Sequence, residues 1–133
     1  PAVEPGRLFE VGALSISLGG SVANTGTALA DLGAEVTPFA SIGDDDLGQL
    51  LLSKLNAAGF ARPQLSISPG SNTSYSLVFE KPGTDRTFWH HTGANDEFDG
   101  TAVDVRGRDL VHVGYPSLLP GVLRARGGRN DLG

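Results

Sequence analysis

The chain has 133 residues and a mass of 13.8 kDa, with 39% apolar and 19% charged residues; this suits one folded domain and excludes a highly charged disordered chain. Ten basic against fifteen acidic side chains leave a net charge of −5, which argues against a general nucleic-acid or anionic-membrane surface. With no cysteine there are no disulfides, zinc–thiolate sites or thiol nucleophiles, and 19 glycines with 8 prolines but no G-X-Y period exclude collagen.

No apolar run approaches the length of a membrane span, and no basic-then-apolar start resembles a signal peptide. A cytoplasmic location is therefore expected, in keeping with the lack of cysteine. There is no methionine, so the numbered chain is expected to begin inside something longer or after processing. The charge is uneven. Residues 1–105 carry five basic and thirteen acidic side chains, whereas residues 106–133 carry five basic (Arg106, Arg108, Arg124, Arg126, Arg129) and two acidic ones. That tail reads first as a solvated end segment and second as a small anion-attracting one.

In chain order, Pro5-Gly6 marks a turn. Leu14, Ile16 and Leu18 then alternate with Ser15 and Ser17, the pattern of a strand. Gly19-Gly20 breaks it. Val22 to Leu32 reads as a short helix, with Val22, Ala28, Leu29 and Leu32 near one face and Gly33 suited to its C-terminal stop. Glu35 to Ile42 is the next strand, where Pro38 argues for an irregular or edge position. Leu47, Leu50, Leu51 and Leu55 make an amphipathic helix ended by Gly59. Strand and helix thus alternate at short intervals, which predicts parallel α/β organisation.

The middle changes character. Thr73, Tyr75, Leu77 and Phe79 alternate with Ser74, Ser76 and Val78, Pro82-Gly83 signals a turn, and Thr87 to Thr92 forms a second run. Together they predict an antiparallel hairpin with an aromatic-rich face. Leu110 to Val113 reads as a short buried strand, with His112 structural. After Pro120 the pattern fades.

Three stretches invite a chemical reading. Gly19-Gly20-Ser21-Val22-Ala23-Asn24 sits at a strand-to-helix junction. Glycines there let a ligand approach the backbone, the helix start offers free N–H groups, and the Asn24 amide both donates and accepts. Taken alone, the hexapeptide reads first as an ordinary tight turn; it matches neither GxGxxG nor GxxxxGK[ST]. Asp44, Asp45 and Asp46 precede an apolar-periodic helix, where capping and the helix dipole favour carboxylates over a metal site. His90 and His91 are strand neighbours pointing to opposite faces, so they do not readily share a metal. No metal site is expected. Asn72-Thr73-Ser74 matches a glycosylation sequon and is taken as chance. No elbow of GxSxG type supports a serine triad.

The order of these pieces resembles the N-terminal half of the ribokinase-like (PfkB) family of sugar and nucleoside kinases. The stretch GGSVANTGTALADLGAEVTPFASIGDDDLGQLLLSKLNAAGF, Gly19 to Phe60, is similar to the family's string of a glycine pair, an Asn within a helix, "LA.LG", a strand, "GxDxxG" and a helix. Thr73 to Asn95 resembles its lid strands, ending in Gly-Ala-Asn, and LVHVGYPSLLP resembles the following core strand and loop. The resemblance spans about Pro5 to Pro120.

It implies a ribokinase-like α/β fold, a Rossmann-type parallel sheet with helices plus a small antiparallel β lid, incomplete in this chain. Residues 1–120 would be the N-terminal part of that domain, with lid strands at about 7–18 and 73–92, and 121–133 a basic, glycine-rich tail. By the resemblance, Gly19, Gly20 and Asn24 bind substrate hydroxyls. Gly43, Asp45 and Gly48 fall on the turn beside that pocket in a supporting role, and Tyr75, Trp89 and His90 are lid candidates.

The implied reaction is transfer of the ATP γ-phosphoryl group, with Mg2+, to a sugar hydroxyl. The family's Gly-Ala-Gly-Asp motif, anion hole and ATP pocket do not occur in these 133 residues, nor does its first strand with a substrate-binding Asp. No catalytic residue is therefore assigned, and the chain is expected to be inactive alone. Its expected partners are a small sugar or polyol and a second copy through the lid, with no nucleic acid and no membrane. The competing readings are a non-catalytic polyol-binding or lid-dimerising module, a nucleoside kinase fragment of the same family, and an unrelated α/β binding domain.

Overall fold

The computed structural model describes residues 5–60 and 63–125. Helix α1 spans Gly20–Asp31, strand β1 Phe39–Gly43 and helix α2 Asp46–Ala57. Strand β2 spans Gln64–Ser68, β3 Tyr75–Phe79 and β4 Thr87–His91. Short 3-10 turns follow at Gly93–Asp96 and Pro116–Leu118, and helix α3 covers Pro120–Ala125.

Both longer helices stop where glycine allows a left-handed residue. Gly33 has φ +89°, its N–H donates to the Ala30 carbonyl at 2.9 Å, and the Ala34 N–H donates to the Leu29 carbonyl at 3.0 Å. That pair of bonds satisfies carbonyls the helix end would otherwise orphan. Gly59, with φ +76°, does the same after α2, its N–H donating to Asn56 at 3.2 Å.

β1 and β2 pair in parallel, Phe39 opposite Gln64 through Gly43 opposite Ser68, with α2 as the crossover. This is the parallel α/β unit that the alternation predicts. β3 and β4 pair antiparallel, Tyr75 opposite His91 through Phe79 opposite Thr87, as the alternation around Pro82-Gly83 predicts. The buried apolar residues Ala23, Ile42, Leu55, Phe60 and Ala94 join α1, β1, α2 and the turn after β4. Gly26 on α1 lies under the Phe60 ring, where a Cβ would approach Phe60 Cε1 to 3.0 Å. Ser41 and Ser68, both buried, meet through their hydroxyls at 2.7 Å, so neither polar group is stranded in the sheet.

Several expectations need correction. Residues 7–18 form no strand, and Leu14 and Ile16 stand 82% and 49% exposed. Alternation supplies a face but not a ladder, and among the described residues no strand hydrogen-bonds beside this segment. Leu110 to Val113 is likewise without strand structure, and its apolar side chains and His112 are exposed rather than buried. Strand β2 was not anticipated; its Leu65 and Ile67 alternate with serines in a run of five between prolines. The apolar stripe of α2 is graded: Leu55 is buried, Leu50 and Leu51 are half-buried, and Leu47 is exposed. After Pro120 the chain turns into α3, while residues 126–133, with Arg126 and Arg129 of the basic tail, lie outside the described residues.

Candidate functional site

The glycine pair opens α1. Gly19 is its N-cap in an extended conformation and supplies no side-chain cap; the first turn carries no acidic residue. The N–H groups there are not claimed by a capping side chain, leaving donors and a partial positive charge at the helix start. A Cβ at Gly19 or Gly20 would meet nothing within 4 Å, so internal packing does not demand glycine at either place. Gly20 has φ +78°, a conformation that favours glycine, whereas Gly19 has φ −133° and would accept any residue. Asn24 is exposed on α1, and its side chain makes no hydrogen bond among the described residues. Gly114 approaches this helix start so closely that a Cβ there would collide with Ser21 and Val22.

The Gly43–Asp45 turn is built differently. Asp45 is the N-cap of α2: its Oδ1 accepts from the Gly48 N–H at 2.9 Å. Capping, the reading the aspartate run invites, is what Asp45 does. The same carboxylate also holds residues far along the chain. Its Oδ1 accepts from the Thr73 hydroxyl at 2.5 Å, and its Oδ2 accepts from the Thr73 N–H at 2.8 Å and the Asn72 amide at 3.4 Å. The Thr73 Oγ1 in turn accepts from the Gly43 N–H at 3.0 Å.

Four donors thus occupy the carboxylate, about its full acceptor capacity. The Thr73 hydroxyl first, then the Thr73 N–H, and less strongly Gly48 and Asn72, hold the Asp45 carboxyl down from 3.8 to about 2. Gly43 and Gly48 are glycines for want of room. A Cβ at Gly43 would run into the backbone of residues 71–73, and one at Gly48 into the Gly43 carbonyl and, at 3.0 Å, the Thr73 hydroxyl. The GxDxxG spacing therefore wraps Thr73, a residue the sequence placed at the head of the alternating hairpin run but did not link to this turn.

The hairpin separates its candidates. Tyr75 and Trp89 share a face: Trp89 lies opposite Leu77, and Tyr75 opposite His91. Tyr75 meets His91 with ring centroids 5.4 Å apart and the rings tilted by 41°, and Phe79 meets Trp89 at 4.8 Å. His90 is on the other face, its Nδ1 2.9 Å from the Ser76 hydroxyl. His91, not His90, is the histidine that accompanies Trp89, since adjacent strand residues point opposite ways.

A shallow cleft of about 250 Å3 lies elsewhere, between β2 and residues 97–102, with Ser41, Ser66, Ser68 and Phe98 in its wall. It includes neither the glycine pair nor Asn24. Among the described residues no group of three acidic or histidine side chains is placed to hold a metal ion. Among the described residues none is assigned to ATP or Mg2+, and no step is routed through either. No helix of the described residues is long and apolar enough to cross a membrane.

Residues 2–128 match the pfkB family carbohydrate kinase model. Among solved structures, the chain is 26% identical to a ribokinase from Cryptococcus neoformans in complex with ADP, covering 79% of this chain and 33% of that one with a TM-score of 0.62. It is 22% identical to a Burkholderia thailandensis nucleoside kinase in complex with inosine, covering 67% of this chain and 30% of that one with a TM-score of 0.57. A Giardia lamblia ribokinase, 17% identical, covers 91% of this chain and 32% of its own, with a TM-score of 0.56. The chain thus spans about a third of the length of these kinases.

Proposed function

The chain belongs to the pfkB family of carbohydrate kinases, and from that premise we propose that it is the substrate-binding part of an ATP-dependent sugar kinase. In this reading the open N-terminus of α1 receives the sugar. Gly19 and Gly20 let the ring approach the backbone, and the Asn24 amide donates to one hydroxyl and accepts from another. Gly43 and Asp45 support that pocket from the next turn. The observation that carries the reading is the family match over residues 2–128, joined to a helix start that packing leaves open above both glycines.

The complete kinase would take ATP with Mg2+ and work where ATP is made available, in the cytoplasm. The 133-residue chain does not turn over ATP by itself, because the family's Gly-Ala-Gly-Asp motif is not among its residues. The reading extends to a homodimer through the hairpin, supported by the exposure of Tyr75, Leu77, Val78, Phe88 and Trp89. Thermal melting of the chain against a panel of pentoses, hexoses and nucleosides tests the site. At least one ligand should raise the melting temperature, and Asn24→Ala should remove that rise. An unchanged rise in the variant takes Asn24 out of the site. Sugar-dependent ADP release by the chain alone would refute its inactivity.

A further inference from the structure

Thr73 is 2% exposed and has every polar atom of its side chain engaged. Its hydroxyl donates to Asp45 and accepts from Gly43, and its own N–H donates to the other oxygen of Asp45. The preceding Asn72 carbonyl accepts from the Ala94 N–H at 2.8 Å. Gly93 has φ +50° and no room for a Cβ against that same carbonyl. Residues 72–73 are therefore gripped from two sides, by the β1–α2 turn and by the Gly93–Asp96 turn.

These two grips lie at the two feet of the hairpin. Thr73 is separated from β3 by Ser74 alone, and Gly93 from β4 by Thr92 alone. The hairpin itself leans little on the body. Every residue of β4 is exposed, and in β3 only Phe79 is half-buried. Its position is thus set at its base rather than along its length.

We propose that Thr73 is a positioning residue, whose hydroxyl locks the foot of the β3–β4 hairpin to the Gly43–Asp45 turn so that hairpin and turn move together. Asp45 acts in this through Thr73, and not by touching a ligand, because its acceptor positions are already filled. The proposal rests on the sugar-site reading for its place in catalysis, but its test needs no sugar.

Amide hydrogen exchange and the emission of Trp89, the single tryptophan, report the hairpin directly. Thr73→Val keeps the shape and removes the hydroxyl; it should speed exchange of the β3–β4 amides by about tenfold, leave the α1 amides within about threefold, and shift Trp89 emission. Thr73→Ser, which keeps the hydroxyl, should restore both readouts. Unchanged hairpin exchange in Thr73→Val, equal acceleration in hairpin and α1, or failure of Thr73→Ser to restore would each overturn the proposal. The unsubstituted chain gives an independent check if Thr73→Val does not fold. Its Thr73 amide should exchange at least about tenfold more slowly than the hairpin amides, and equal rates would overturn the proposal. A failed sugar screen beside a positive exchange result rejects the sugar reading alone; the reverse result rejects the clasp alone.

Discussion

Gly43→Ala is the most demanding test of how the turn is built. Gly43 is not among the residues with positive φ, so alanine meets no conformational penalty there. Through the unfolded state it would even stabilise, by about 0.4–1 kcal/mol. Against this stands the missing space. The new Cβ would lie 2.6 Å from the Thr73 nitrogen and 2.7 Å from the Asn72 carbonyl carbon, and closer still to the Ser71 carbonyl oxygen. Those are backbone atoms, so residues 71–73 must retreat by roughly 1 Å to reach ordinary contact distance.

That retreat stretches the Thr73 N–H bond to Asp45, now 2.8 Å, beyond useful range, and the hydroxyl bond, now 2.5 Å, to its edge. The bond from the Gly43 N–H to Thr73 goes with them. Hydrogen bonds to a charged group contribute about 1.5–3 kcal/mol each, and water partly replaces them on a half-exposed carboxylate. The expected net loss is about 3–4 kcal/mol, a large part of the 5–15 kcal/mol that typically separates folded from unfolded chains. Chemical denaturation followed by Trp89 emission and circular dichroism measures it. Gly12→Ala serves as control, since a Cβ there meets nothing within 4 Å. A Gly43→Ala unfolding free energy within about 1 kcal/mol of that of the unsubstituted chain would refute the steric reasoning.

Two further outcomes follow from the same geometry. The Asp45 carboxyl is depressed from 3.8 to about 2, so its contribution is fully present above about pH 4 and is lost as pH falls through about 2. Over that window the chain should lose roughly 1 kcal/mol that Asp45→Asn does not lose, once solvent screening is allowed for; parallel pH profiles of the two proteins would contradict this. Tyr115 is the one non-glycine residue with positive φ among those described, at φ 41° and ψ 70°, and it is exposed. Tyr115→Asn should raise stability by about 1 kcal/mol by relieving that conformation, and a fall in melting temperature would count against it.

Much of the fold was legible along the chain because its causes are local. The helices α1 and α2 follow from apolar spacing and from Gly33 and Gly59 at their ends. The cap on α2 follows from aspartate ahead of an apolar run, and the hairpin from alternation about Pro82-Gly83. The strands expected at Leu14–Leu18 and Leu110–Val113 share that alternation or apolar character, yet they lack a paired neighbour in the described structure. A strand is a relation between two segments, and its sequence states only one side of it.

The candidate site divides along the same line. The order of the glycine pair, Asn24 and the GxDxxG turn, and with it the family, was legible in the sequence, as was the cap that Asp45 places on α2. Tertiary structure alone decided what Asp45 faces, since its main partner lies 28 positions away and is buried by contacts no periodicity encodes. That Trp89 keeps company with His91 and not His90 is by contrast a local matter, since residues two apart on one strand share a face. Local rules act over a few residues, whereas hydrogen bonds and steric exclusion at Thr73 exist only once distant segments have met.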